Sequence, residues 1–272
     1  MDNFFIITNE HKDPHMDITS QIINYLTAHG KKCYAGTEIP ENTQCIIVLG
    51  GDGTLLKAAQ DNVDKKIPLI GVNLGTLGFM AEVDVAGLDN ALDALIRGDY
   101  QLEERMMLTG TFLNHDGSRD KKETYALNDI VITRGSSYRI ISFNLYVNEQ
   151  FLYHYNADGI IISTPTGSTG YNLSAGGPIV DPKAKMMVLT PVCPHTINTR
   201  SIVLSAQDHI VVEIAIGKDG QQQEVELYYD GSKKSYLKTG DRIHITQSEK
   251  ITDIVKLNKA SFLEILNKKM SE

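Results

Sequence analysis

The apolar run Gln44-Cys45-Ile46-Ile47-Val48-Leu49 ends abruptly in Gly50-Gly51-Asp52-Gly53, and Thr54-Leu55-Leu56 then opens a helical stretch over Leu55–Gln60. This junction constrains the chain more than any other. A buried strand that breaks into glycine and restarts as a helix is the βα turn of a parallel sheet. Glycine lets the backbone turn sharply and approach a ligand, and the helix start presents unpaired N–H groups and the positive dipole end. A second junction lies about twenty residues on, where the strand-like Leu69–Val72 runs into Asn73-Leu74-Gly75-Thr76-Leu77-Gly78-Phe79. In a doubly wound sheet neighbouring strand ends share one edge, so both loops can line one crevice. The first loop has neither the GxxxxGK[ST] nor the GxGxxG spacing.

The rest of the first hundred residues alternates in the same way. Phe4–Thr8 reads as a strand. Residues 17–29 place Ile18, Ile22, Tyr25 and Leu26 on one helical face, with Asp17 as the expected cap and Gly30 at the C′ position. A further helix is expected over 84–97, closed by Gly98. Beyond Tyr100 the texture changes to short strand-like runs at 107–113, 124–134, 140–147, 150–155, 159–163, 208–216, 224–229 and 241–246. Helical pattern returns only just after Gly167 and over Ala260–Lys269. The expected fold is an α/β N-terminal domain (residues 1–100) built on a doubly wound parallel sheet, followed by a β-rich domain (101–256). The C-terminal helix (257–272) returns to the first domain. No Pro/Gly linker separates the domains, and a cleft between them is the expected place for a ligand.

Composition narrows the function. Lys plus Arg number 26 against 34 for Asp plus Glu, a net charge of −8, which argues against a nucleic-acid binder that relies on a general basic field. The sequence has no apolar run long enough to cross a membrane as a helix. The start lacks a basic n-region and a long apolar h-region, so it reads as a strand rather than a signal peptide. Cys33, Cys45 and Cys193 are odd in number and form no CxxC pair. That argues against a disulfide framework or a zinc site and fits a reducing cytosol.

Eleven of the 22 glycines fall in residues 50–78 and 159–177. The second window, Asp158 to Pro178, follows a β-branched strand with Ser163-Thr164-Pro165-Thr166-Gly167-Ser168-Thr169-Gly170-Tyr171-Asn172-Leu173-Ser174. It offers neutral hydrogen-bond groups suited to adenine edges, ribose hydroxyls and diphosphate oxygens; the alternative is a flexible surface loop. Asp52 lies in the middle of a phosphate-cradling turn. An acid there repels phosphate unless it accepts a hydroxyl proton or bonds a ribose; the alternative is a turn aspartate that caps the next helix. Asn128-Asp129 interrupts the apolar stretch 126–132, where it either meets a polar ligand or forms a satisfied internal pair.

Together these residues resemble the NAD kinase family. Its motifs occur here in order as Gly50–Thr54, Asn73–Phe79, Asn128–Asp129 and Asp158–Pro178, with Thr190-Pro191, Pro194-His195-Thr196, Arg200 and Asp230-Gly231 as further family features. GGDGT alone is weaker, because diacylglycerol and sphingosine kinases share it. The hydroxyl-rich stretch argues against the greasy acceptor site of a lipid kinase, and the intact Asp52 against a non-catalytic NAD(P) sensor. The resemblance implies transfer of a phosphoryl group from ATP or polyphosphate to the 2′-hydroxyl of the adenosine ribose of NAD, with magnesium entering with ATP and no metal fixed by protein side chains. It implies Asp52 as the group that orients or deprotonates the hydroxyl, and Gly53 on phosphate. Asn128, Asp129, Asp158, Thr166 and Thr169, Gly170, Tyr171, Asn172, Leu173, Ser174 are implied to grip NAD, with Tyr171 near the adenine. Phe79 lines the same pocket, and Asp230 and Gly231 belong to the implied set. Lys57 and Arg139 stand where the family places charge near the ligand, or are solvated surface charges. Asn156 stands where some members carry a basic residue, and Gly170 where alanine is commoner. A cytoplasmic homodimer or homotetramer is implied, with no nucleic-acid or membrane partner.

Overall fold

The computed structural model describes residues 1–75, 78–113, 123–135, 139–196, 200–257 and 261–271, and the chain divides into two units, Met1–Arg105 with Ile251–Glu272, and Met106–Lys250. Thr76 and Leu77 of the second glycine loop, and the expected helix start at Ala260, lie outside the described residues.

The first unit contains β1 (Asn3–Thr8), α1 (Asp17–Ala28), β2 (Lys32–Ala35), β3 (Cys45–Gly50), α2 (Asp52–Asp61), β4 (Leu69–Asn73), β5 (Val83–Asp84) and α3 (Leu88–Arg97). Its strands run β2-β1-β3-β4, all parallel, with β5 beside the end of β4. Alternation along the strands explains the layering. Phe4, Ile6, Ile47 and Leu49 share one buried cluster with Ile22 and Leu26 of α1 and Leu88, Leu92 and Leu95 of α3. Gly71 points the other way, where an added Cβ would stand 3.1 Å from Leu55 of α2. So α1 and α3 cover one face and α2 the opposite one. The doubly wound expectation holds, and the winding reverses between the adjacent strands β1 and β3.

Local chemistry corrects three boundaries. Asp17 is not the cap of α1: the Asp13 carboxylate accepts the N–H groups of Ile18 (3.3 Å) and Thr19 (3.0 Å), across a left-handed Met16. Helix α2 starts at Asp52, three residues before the apolar periodicity shows it. Helix α3 starts at Leu88 after a 3-10 turn over Val85–Gly87 rather than at 84.

The second unit holds most of β6 (Gln101–Leu113), then β7 (Thr124–Ala126), β8 (Asp129–Thr133), β9 (Ile141–Val147), β10 (Gln150–Ala157) and β11 (Gly159–Ser163). A 3-10 turn (Thr166–Thr169) and the single-turn helix α4 (Tyr171–Ser174) follow. The chain continues through β12 (Met186–Val192), β13 (Ile202–Ser205), β14 (Ile210–Ile214), β15 (Glu224–Tyr229), β16 (Ser232–Lys238) and β17 (Arg242–Lys256). One antiparallel sheet runs β13-β12-β11-β8-β15-β16, and β10, β9, β14 and the first part of β17 form a second antiparallel array. Ile130, Ile160 and Leu189 from the first share one buried core with Phe143, Leu145, Val212 and Ile243 from the second. The single strand expected over 124–134 is two strands, broken at Leu127-Asn128. Back in the first unit, Ile254 of β17 pairs in parallel with Leu69, and α5 (Phe262–Ser271) brings Lys269 over the Phe79 ring at 6.0 Å.

Candidate functional site

In the first unit the apolar core of β3 ends at Gly50, and Gly51 takes extended backbone before α2 begins. No side chain caps α2; the Thr54 N–H turns back to the Gly51 carbonyl (3.0 Å), and the N–H groups of Asp52 and Gly53 precede it at the helix start. Asp52 does not cap its own helix. Its carboxylate accepts the N–H of Phe79 (2.9 Å) and of Met80 (3.3 Å), tying the first glycine loop to the second. That tie explains Gly78, where any Cβ would fall 2.1 Å from the Asp52 carboxylate. Asn73 fixes the start of the second loop by accepting the Gly75 N–H (3.2 Å) and donating to the Gly75 carbonyl (2.6 Å).

Beside this turn, at the carboxyl ends of β1 and β3, lies a cleft of about 820 Å³. This is where an open α/β sheet that reverses its winding leaves a crevice for ligands. Gly51, Gly53 and Lys57 line it, together with Asn9, Lys12 and Lys65. The last three were not found by sequence reasoning. Lys12 precedes the glycine turn by some forty residues, and only the parallel register of β1 on β3 brings the two to one edge.

In the second unit the hydroxyl-rich stretch is mostly spent on itself. The Thr164 hydroxyl donates to the Leu127 carbonyl (2.6 Å) and accepts the Gly167 N–H (3.1 Å). Ser168 donates to the Pro165 carbonyl (2.7 Å) and accepts the Val180 N–H (3.0 Å). Thr166 is buried, and Thr169 donates weakly to its carbonyl (3.4 Å). Asn172 is fully buried: its amide donates to the Ser168 and Pro178 carbonyls, both at 3.0 Å, and accepts from the Thr190 hydroxyl at 2.7 Å. Its side chain is bonded within the scaffold. By contrast Tyr171, Leu173 and Ser174 on α4 face outward.

Asp230 and Gly231, with φ of 49° and 74°, form the tight turn between β15 and β16. The Asp230 carboxylate accepts three successive N–H groups, from Leu127 (2.8 Å), Asn128 (2.7 Å) and Asp129 (3.1 Å). This grip breaks the strand over 124–134 and sets the pose of Asn128 and Asp129. The Asn128 Oδ1 atom is buried without a hydrogen bond, and its carbonyl lies so close to Gly167 that a Cβ there would be 2.1 Å away. Gly170 stands against the Asn128 amide, where an added Cβ would be 3.3 Å from Nδ2. Asp129 is buried, and that burial, followed by the charge of Asp230, pushes its carboxyl up to about 7. The Tyr171 hydroxyl is raised by burial first and then by Cys193, Asp129 and Asp158, which places the ring near both acids.

The remaining sequence candidates have protein partners. Asp158 pairs with Arg134 (2.9 Å), Asn156 accepts from the Ser142 hydroxyl (2.7 Å), and Arg139 donates to Gln221. Thus one set, Asp52, Gly53, Lys57 and Phe79, lies in the first unit. Asn128, Asp129, Asp158 and Tyr171 gather in the second, while Arg139 and Asn156 are held by β-strand and turn partners there.

Profiles of the ATP-NAD kinase N-terminal and C-terminal domains match residues 31–100 and 127–257. The chain belongs to the NAD kinase family. It is 42% identical to the NAD kinase of Lachnoclostridium phytofermentans, covering all of both chains, and 45% identical to that of Agathobacter rectalis over 99% of both. In fold it matches yeast NADH kinase complexed with NADH, with a TM-score of 0.88, 23% identity, and 100% of this chain and 88% of that one covered. An NAD kinase from Archaeoglobus fulgidus in complex with ATP matches with a TM-score of 0.79 and 23% identity over 99% of both chains.

Proposed function

We propose that this NAD kinase family member transfers the terminal phosphoryl group of ATP, or of polyphosphate, to the 2′-hydroxyl of the adenosine ribose of NAD, forming NADP. The observation that carries the reading is Asp52, an acid at the first residue of an uncapped helix between two glycines, beside a crevice with three lysines. Phosphoryl transfer passes through a loose transition state, so positioning and charge neutralisation dominate. Asp52 accepts the proton of the attacking hydroxyl, and the hydroxyl oxygen forms the new P–O bond as the bond from the terminal phosphorus to its bridging oxygen breaks, releasing ADP or the shortened polyphosphate. General-base help of this kind is worth about 10²–10⁴-fold. Gly53 and the α2 start meet donor phosphate. Asn128, Asp129 and Asp158 bind the dinucleotide, with Tyr171 against the adenine. Magnesium belongs to this reading as part of the nucleotide substrate. A cytoplasmic homodimer or homotetramer completes it; the three free thiols and the exposed Phe151 and Tyr153 on the strand β10 support those two points. Purified protein given NAD, ATP and magnesium yields NADP in a coupled assay specific for NADP; no product with either ATP or polyphosphate would overturn the assignment.

A further inference from the structure

We infer that Lys12 is the side chain that holds the donor's phosphate chain, an inference that rests on the kinase reading above and names a residue that the family motifs do not include. Its ammonium stands 3.2 Å from where a Cβ on Gly51 would be and 3.1 Å from the corresponding point on Gly75. The one cation thus touches both glycine loops, at the end of β3 and the end of β4. The absence of side chains at Gly51 and Gly75 is what admits it.

The loop that carries Lys12 is built. Asn9 donates its backbone N–H to the Leu49 carbonyl (2.9 Å), extending the β1–β3 contact by one residue. The Asn9 carbonyl then accepts the N–H groups of Lys12 (2.9 Å) and Asp13 (3.1 Å), closing a turn, and the Asn9 amide donates to the Thr54 hydroxyl (3.3 Å). The turn is therefore anchored on the strand and on the helix that flank the cleft.

Charge completes the argument. Lys31 pairs with Asp2 and Lys256 with Glu82, whereas Lys12 has no carboxylate partner among the described residues. In a chain of net charge −8, with Asp52 in the same turn, a polyanion needs a local cation to enter. Lys57 and Lys65 line the same cleft, and the uncapped start of α2 adds N–H groups from Gly51 onward. Lys12 is the one of the three whose ammonium reaches both loops. It acts as a point charge on phosphate oxygens, in direct contact with the donor, and makes no contact with the dinucleotide acceptor.

The test uses Lys12→Ala, Lys12→Gln and Lys12→Arg in the full-length protein. Steady-state kinetics against ATP and against NAD are paired with inhibition and calorimetric binding of inorganic tripolyphosphate. Losing one charge-assisted contact raises the KM for ATP and the tripolyphosphate Ki by about ten- to a hundredfold in the Ala and Gln variants. The KM for NAD stays at its original value, and Arg restores most of the loss. Lys12 is exposed, so thermal melts of the variants match the parent. Unchanged ATP and tripolyphosphate constants in an active enzyme would overturn the inference, as would an equal rise in the KM for NAD. A parent protein that makes no NADP strikes the kinase reading instead, and tripolyphosphate calorimetry then still decides whether Lys12 binds phosphate.

Discussion

Two aspartates in this chain do the same thing in different surroundings. Asp52 in the first unit and Asp230 in the second each use a carboxylate to collect backbone N–H groups from a distant loop, two in one case and three in the other. Around Asp52 lie an uncapped helix start and a cleft lined by Lys12, Lys57 and Lys65. Around Asp230 nearly everything is used internally, and the hydroxyls of Thr164 and Ser168 and the amide of Asn172 are bonded within the fold. Glycine- and hydroxyl-rich sequence therefore serves two ends. In the first unit it borders a cleft; in the second it builds a frame that holds Asn128 and Asp129 in place and leaves Tyr171 exposed.

The comparison breaks most visibly at Asp230. Asp230→Ala strands three N–H groups of the 127–129 segment, and each buried donor left without a partner costs about 1–3 kcal/mol. The expected result is a loss of about 3 kcal/mol or more and a fall in Tm on the order of 10 °C, read by calorimetry. A Tm within a degree or two of the parent would show that the frame does not depend on this grip.

Asp129 gives a smaller effect with a definite sign. Burial, with Asp230 beside it, raises its carboxyl from 3.8 to about 7, so the folded protein holds a proton that the unfolded chain has released. Between about pH 4 and pH 7 the native state binds more protons than the unfolded state, and stability falls as pH rises through that window. In Asp129→Asn this falling component, on the order of a few kcal/mol across the window, disappears. Denaturant midpoints measured at pH 4.5, 6 and 8 check it. Parallel pH curves for parent and variant would rule out a raised carboxyl at this position.

Much of this was legible in the sequence, and the limits have physical causes. β1, β3, β11 and β15 appear as apolar runs because both faces of those strands are buried or alternate cleanly. The turns at Gly50 and Gly167 are visible because glycine is needed there: an added Cβ would fall 2.3 Å from the Thr54 hydroxyl and 2.1 Å from the Asn128 carbonyl. β16, with the sequence Ser-Lys-Lys-Ser-Tyr-Leu-Lys, carries too little apolar signal for a strand reading. The break at Leu127-Asn128 is imposed by an acid about a hundred residues later, beyond the reach of local pattern. A hydroxyl-rich segment likewise does not reveal which hydroxyls face inward: Asn172 and Tyr171 are adjacent, yet one is sealed in the frame and the other is 46% exposed. Lys12 escaped notice because its meaning comes from the register of β1 on β3 rather than from any motif.

The central claim is that the open acid does chemistry and the enclosed one builds the frame. Asp52→Asn tests it most directly, with NAD affinity by calorimetry and turnover by the coupled NADP assay measured on the same preparation. The amide keeps one acceptor oxygen for the 79–80 backbone but takes up no proton. Turnover is expected to fall at least about a hundredfold with NAD affinity preserved within about threefold. A variant that turns over at the parent rate, or one that loses NAD affinity in step with rate, would contradict the account.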